Sequence, residues 1–439
     1  MKSETILCIG LDDTDSIKGM CTTYLGYRLV DLLKKEKAEF VDYPRLVRFN
    51  PNVPWKTRGN GAVGLKIKTS NPQKIKKMAI KLMQRYSEVS NGANPAIAFY
   101  ENDVIPVALK EFSRLALWRL IKRGMARRVA KQNNIESFCL GNGQGLVGAI
   151  GVIGYEFDDN TLELLSYRKR SQFGKLRDIR SDDVKRIHEK IPGTFSSYDV
   201  IKHQVMIAPR GPDPVFYGIR GDDPDSLLQA SKMIKTSESL DGYMLFKSNQ
   251  GTSDHLRNNL NADDLTPYSS GIITGKISQK PAIYRGGHVF FTVLARQQKI
   301  KCVIYKESGI TNNMMKLELD DKVQVGGGVR KATKNHSRVL NVEFVRVLHL
   351  VQKHRMVNPS CKRCNKKMKS KGKGQGFQCV KCKDRSQKRQ KEPISRDICK
   401  SLYLPVLSSQ RHLTRPLRRQ GITNKTTFDN SIQWFGRFN

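Results

Sequence analysis

Along the first hundred positions the apolar residues switch between a strand-like and a helical period. ETILCIGL is an apolar run that ends at an aspartate cluster and predicts a strand. From Thr22 to Lys37, residues Tyr24, Leu25, Leu29, Leu32 and Leu33 share one helical face. FVDYPRLVRF and AVGLKIKT read as strands. Asn71-Pro72 opens a helix through Tyr86, and PAIAFY reads as a further strand. The order β-α-β-β-α-β predicts a ferredoxin-like layer of helices on a sheet. Residues 103–133 read as helical, and LVGAIGVIGYEF as a strand pair or long strand with a glycine at its centre.

A second mixed segment covers residues 181–250. It predicts the helices SDDVKRIHEKI and DSLLQASKMIK and the strands VMIAP, VFYGIRG and GYMLFKSNQ. From 271 to 348 the pattern becomes short strands and turns. GIITGKIS, VFFTVLA, IKCVIYK, DKVQVGGGVR and VLNVEFVRVLHL predict a five-stranded barrel of the OB-fold kind. KDRSQKRQKEP reads as a charged linker, and no pattern defines a fold from 393 to 439.

Composition narrows the class. The 439 residues are 38% hydrophobic, enough for several cores and too much for wholesale disorder. No apolar stretch is long enough for a membrane helix, and the N-terminus lacks the apolar core of a signal peptide. Lys and Arg number 78 against 40 Asp and Glu, a net charge of +38. An excess of this size points to a polyanion, nucleic acid first, and disfavours an enzyme of small molecules alone. Residues 353–439 hold 23 Lys/Arg and 4 Asp/Glu, half of the excess, so this tail is the expected contact for a phosphate backbone.

Nine cysteines, four of them paired, fit zinc and free thiols in a reducing cytoplasm. Cys361-x-x-Cys364 and Cys379-x-x-Cys382 lie fourteen residues apart. Four thiolates complete a closed tetrahedron around zinc, with no open position, so this site is structural. It would hold Lys366, Lys367 and Lys369 toward nucleic acid.

Asp12-Asp13-Thr14-Asp15 places three carboxylates in four residues, which repel one another unless a cation relieves them. Magnesium suits such oxygens, and a solvated Asp-rich turn carries the same letters. Gly19, Cys21, Thr22 and Thr23 follow at a helix start, which is either an anion site or a simple cap. No GxxxxGK[ST] run is present. Arg58-Gly59-Asn60-Gly61-Ala62, the Pro209–Pro214 run and Gly218-Ile219-Arg220-Gly221-Asp222 mix glycine with Arg or Asp at strand ends. They suit phosphate or magnesium contacts, or equally surface turns. Asp254-His255 pairs a carboxylate with a histidine, an acid/base couple or ordinary packing.

Together these motifs resemble a known family. GLDDTDS (10–16), GMCTTY (19–24), PRL (44–46), RGNGA (58–62), Asn94-Pro95, PGTF (192–195), Asp213-Pro214, GIRG (218–221) and NQGT (249–252) occur in the order seen in archaeal tRNA-Ile 2-agmatinylcytidine synthetases. The resemblance covers most of residues 1–390. It implies an α+β multidomain fold: an atypical kinase-like α/β catalytic domain interleaved with a ferredoxin-like domain, then an OB-fold and a zinc ribbon. The divisions expected are a catalytic core at 1–260, the OB-fold at 268–350, the ribbon at 353–390 and a basic tail at 391–439.

It implies an ATP-dependent ligase that phosphorylates the 2-carbonyl oxygen of the wobble cytidine of tRNA-Ile with a CAU anticodon. Agmatine then displaces the phosphate. By the same resemblance Asp12, Asp13 and Asp15 hold magnesium, and Thr22 matches a threonine the family autophosphorylates. Gly19, Cys21, Thr23, Asp213, Arg220 and Asp222 join the ATP site. Arg58, Gly59, Asn60, Gly61, Asn94 and Pro95 place agmatine or the cytidine. In the family NQGT runs directly into Asp-His, whereas here Ser253 intervenes. Two other readings keep part of this. A non-catalytic RNA- or single-stranded-DNA-binding protein needs only the barrel and ribbon. A nucleic-acid-dependent ATPase or kinase keeps the ATP site without agmatine.

Overall fold

The structure, a computed structural model, describes residues 4–56, 59–334 and 337–438. Its centre is an eleven-stranded sheet. One half has the order Glu136–Cys139, Ala96–Tyr100, Thr5–Asp12, Gly61–Thr69, Arg45–Arg48, all antiparallel. The other continues with Leu240–Ser248, Thr161–Arg168, Val215–Gly221 and Thr194–Phe195. The halves meet where Arg45 and Leu46 pair in parallel with Lys247 and Ser248. Asn249 prolongs that seam. Its side chain accepts from the Arg48 amide at 2.8 Å and donates to the Arg48 carbonyl at 3.0 Å. The NQGT run is therefore a joint between the two halves.

The expected helices Thr22–Lys35 and Pro72–Tyr86 are present, the second capped by Asn71 Oδ1 accepting from the Lys74 amide. FVDYPRLVRF is not one strand. It splits into Glu39–Phe40 and Arg45–Arg48. Pro44 offers no N–H to a ladder, and its carbonyl accepts instead from the Lys247 amide.

LVGAIGVIGYEF is not a strand either. Leu146–Gly154 is a buried α-helix. An apolar run buried all round shows no period, so periodicity alone does not separate the two. The signal is the spacing of Gly148, Gly151 and Gly154, which puts bare backbone on one side of the helix. A Cβ there would lie 1.9 Å from Asp12, 2.6 Å from the Phe49 ring and 2.2 Å from the Leu109 carbonyl.

Two further corrections fall in the second half. Only Gln204–Val205 of the expected VMIAP region is strand. The residues after it form an irregular segment with prolines 209, 212 and 214, tied down by one side chain. Arg177 donates to the carbonyls of Pro209, Gly211, Asp213 and Val215 at 2.9 to 3.0 Å. Conversely, Thr161–Arg168 is a strand that the alternation rule does not anticipate, because it is buried on both faces.

All five expected barrel strands form, over Ser270–Ile283, Val289–Ala295, Gln298–Ile304, Lys322–Arg330 and Val339–His349. Parallel pairing of Cys302 with Leu340 closes the barrel. The four-cysteine segment hangs from it on an antiparallel ribbon, Lys353–Val357 against Gln390–Ile394.

The tail is not a free basic arm. Leu402–Tyr403 pairs with the barrel, and Phe435–Arg437 pairs with Leu240–Ser248 of the central sheet. Trp434 is buried in the main core. Arg396 pairs with Asp321, Arg415 and Arg419 with Asp159, and Arg437 with Asp31. Much of the charge beyond the ribbon is therefore matched inside the molecule. Among the described residues no helix is long and apolar enough to cross a membrane.

Candidate active site

A cavity of about 580 Å³ opens where the two halves of the sheet meet. Asp12, Asp13, Asp15, Cys21, Thr22 and Thr23 are in its lining. So are Arg48, Glu163, Asp213, Arg220 and His412, with Gly59, Asn60 and Gly61.

The carboxylate cluster grows from the end of the first strand. Asp12 is its last residue, and Asp13 turns the chain with φ 56° while its amide donates to Asp12 Oδ1 at 2.7 Å. The helix Thr22–Lys35 has no capping side chain of its own at Cys21. Asp15 supplies one: its Oδ1 accepts from the Thr22 amide at 2.9 Å and from the Thr22 hydroxyl at 3.3 Å. Gly19 fits because its missing Cβ would sit 2.4 Å from the Pro212 carbonyl. The Gly19 turn thus packs on the arginine-anchored proline segment.

Burial raises the Asp12 carboxyl to about 7, and repulsion from Asp15 adds to it. Asp13 is pushed up to about 8 by burial, then by Asp12 and Asp15. Two carboxyls so close, each resisting ionisation, form a site that a cation would relieve.

The same lining carries two arginines, Arg48 and Arg220. Arg220 Nε donates to Glu163 Oε1 at 3.1 Å, and its Nη2 lies 2.6 Å from His412 Nδ1. Glu163 is buried and also accepts from Gln250. Arg48 faces the same space, and among the described residues its Nε has no hydrogen-bond partner. Asp213, also in the lining, is buried, with one carboxylate oxygen accepting from the Val215 amide at 3.3 Å.

Other expected residues lie elsewhere. Asp222 does not line the cavity. Its Oδ1 accepts from the buried Arg419 at 2.7 Å, so its charge is already matched. Asn94 lines a neighbouring groove with Asp13, Trp55, Lys122, Arg123 and Arg127. Pro95 lines neither. Arg58 lies outside the described residues. Asn60 Nδ2 is held by the Asn50 carbonyl at 2.9 Å. His255 is buried against Glu343 of the barrel at 2.9 Å and Asp254 against Tyr155, so this couple joins domains and does not face the cavity. Glu163, Arg48, Arg177 and His412 carry no local motif. The only signal for any of them is Glu163, an ionisable residue set among leucines in TLELLSYR.

The four cysteines are the only group of three or more His, Cys, Asp or Glu among the described residues whose ligand atoms converge, all within 4.8 Å. Both knuckles end in the same left-handed turn, Asn365 at φ 56° and Lys383 at φ 57°. Cys379 is lowered to about 7, first by the Cys382 amide, which donates to its Sγ at 3.3 Å. This donor set fits zinc.

A cavity lined by carboxylates and arginines, on a mixed α/β body that carries a closed barrel and a four-cysteine ribbon, defines a multidomain nucleic-acid-directed class of protein. The comparisons make it specific. Family models match in three places: the TiaS TCKD domain at residues 8–77, the TiaS FLD domain at 143–255 and the TiaS C-terminal zinc ribbon domain at 358–398. The tRNA-Ile 2-agmatinylcytidine synthetase TiaS of Cenarchaeum symbiosum is 54% identical over 99% of this chain and 97% of its own. That of Pyrococcus horikoshii is 38% identical over 94% and 97%. The crystal structure of apo TiaS, an agmatidine synthetase, superposes with a TM-score of 0.83 at 30% identity, over 97% of this chain and all of its own. That of TiaS in complex with its isoleucine tRNA, AMPCPP and agmatine does so with 0.81 at 28%, over the same shares. The chain belongs to the TiaS family of tRNA-Ile 2-agmatinylcytidine synthetases.

Proposed function

We propose that this protein joins agmatine to the 2-position carbon of the wobble cytidine of tRNA-Ile with a CAU anticodon, using ATP. The observation that carries the reading is the cavity itself. Its carboxylates and arginines line one chamber, in a chain that aligns over 99% of its length with a synthetase of this name.

The chemistry follows from charge. A cytosine 2-carbonyl is a poor leaving site. Its oxygen takes a phosphoryl group from ATP and becomes a good one. The primary amine of agmatine then adds to C2, the C–O bond breaks, phosphate leaves with the former carbonyl oxygen, and the amine proton goes to solvent. Arg220 and Arg48 meet the phosphates. Asp15 orients the Thr22 hydroxyl and accepts its hydrogen bond, which readies Thr22 as a phosphoryl acceptor. The Gly59–Gly61 edge takes the cytidine or agmatine. Asp12, Asp13 and Asp15 fit magnesium, since the ion needs only one or two carboxylates beside phosphate and water. When bound it supplies neutralisation of phosphate charge.

The wobble base leaves its stack to enter the chamber. The remaining architecture is assigned as an atypical kinase-like domain interleaved with a ferredoxin-like one, then an OB-fold. The barrel and zinc ribbon grip other parts of the tRNA. Such a protein works in the cytoplasm, where its tRNA is. A purely RNA-binding role leaves the raised Asp12 and Asp13 pair without a purpose. The test is to incubate the protein with ATP, magnesium, labelled agmatine and the tRNA-Ile transcript. Label mapped to the wobble cytidine supports the reading. Bound tRNA without label rejects it.

A further inference from the structure

The cavity wall includes a segment from the far end of the chain. After the ribbon the backbone returns to the central body, where the Gly251 amide donates to the His412 carbonyl at 2.9 Å and the Ser253 amide to the Leu413 carbonyl at 2.7 Å. Leu413 is buried. The strap is therefore pinned at His412 and at the residue after it, and the His412 ring lines the cavity. On one side the ring touches Arg220. On the other it abuts the Gly59 turn, where a Cβ would come within 2.9 Å of His412 Cδ2.

The tautomer follows from the partner. A guanidinium only donates, so His412 Nδ1 presents a lone pair and the ring proton is on Nε2. A protonated ring could not accept from the guanidinium, and the enclosing protein with the charges of Arg220, Arg48 and Arg411 pushes its pKa down from the ordinary histidine value. Arg220 is thus fixed at two points, Glu163 on Nε and His412 on Nη2. A guanidinium held by a single carboxylate would still swing about its flexible stem.

We propose that His412 is a positioning residue for ATP: its Nδ1 holds the Arg220 guanidinium in the orientation that the phosphates meet. The inference rests on reading the cavity as the ATP site. It adds that the site is incomplete without the C-terminal strap.

The test uses the full-length, zinc-loaded protein and its His412→Ala, His412→Asn and His412→Gln variants. The readouts are the Kd of a non-hydrolysable ATP analogue, the KM values for ATP and agmatine, and the thermal midpoint. Loss of one charge-assisted hydrogen bond in His412→Ala weakens the analogue and raises the KM for ATP by about tenfold. The KM for agmatine changes less than the KM for ATP, because the ring only abuts the Gly59 turn whereas it hydrogen-bonds Arg220. In His412→Asn, Oδ1 reaches the place of Nδ1 and restores analogue binding to within about threefold of wild type. Wild-type analogue affinity in His412→Ala, or equal weakness in the Ala and Asn variants, overturns the proposal. If the thermal midpoint shows His412→Ala unfolded, Asn against Gln decides. The Gln amide sits one bond too far out and binds the analogue worse, and equality overturns the proposal. Failure of the wild type to transfer agmatine would instead indict the functional reading, and the analogue measurement does not depend on it.

Discussion

Gly148 and Asp12 are in such close contact that a Cβ on Gly148 would lie 1.9 Å from Asp12 Oδ2. The helix Leu146–Gly154 is a floor on which the first aspartate rests. Gly148→Ala is therefore expected to push the Asp12 carboxylate aside. A shift near 1 Å at a reacting group costs on the order of a hundredfold in kcat. tRNA affinity, measured by filter binding, should stay at the wild-type value because the barrel and ribbon are untouched.

The raised carboxyls set a pH dependence. Asp12 at about 7 and Asp13 at about 8 bind more protons folded than unfolded between about pH 4 and pH 8. In that window their contribution to stability is lost as pH rises. Chelator-treated protein should show a lower thermal midpoint at pH 8.5 than at pH 6. Asp12→Asn should flatten that slope and raise the midpoint at pH 8.5, as differential scanning calorimetry will report. An unchanged slope would mean that these groups titrate normally.

What is legible in the chain is local. The Cys361–Cys382 spacing and the Asp12–Thr22 cluster announce themselves because their partners lie within a few turns of backbone. The barrel strands are equally plain as short apolar runs between turns, even where a strand such as Lys322–Arg330 is buried on both faces. Across the rest of the cavity Asp213 and Arg220 are marked, by the turns they sit in. Arg48, Glu163 and His412 carry no motif; they come from separate parts of the chain and meet only through the parallel seam at Arg45–Leu46 and the returning strap. Periodicity misreads the glycine helix because burial on all sides erases the period that separates helix from strand. The tail looks like a phosphate-binding arm because a count of charges does not show that Arg415 and Arg419 face Asp159.

Arg419 gives a stability prediction. It is fully buried, donating to Asp159, Asp222 and the Gly251 carbonyl. Arg419→Met leaves Asp159 with fewer partners in a dry site, and breaking such a pair costs about 3–5 kcal/mol. Urea unfolding should show that loss. Arg418→Met, at an exposed neighbour, should show under about 1 kcal/mol.

The ribbon hangs on two strands, so it should fail alone. Cys361→Ser is expected to lower zinc content by elemental analysis and weaken tRNA binding by about tenfold, as phosphate contacts are lost. ATP-analogue affinity should not move, because the cavity shares no residue with the ribbon.

The most direct test follows one oxygen atom. A tRNA-Ile transcript carrying ¹⁸O at the 2-carbonyl of its wobble cytidine is converted in a single turnover with ATP and agmatine. Phosphorylation of that oxygen predicts ¹⁸O in the released inorganic phosphate, read by mass spectrometry, in step with agmatine incorporation. Modified tRNA accompanied by phosphate free of ¹⁸O would contradict the account.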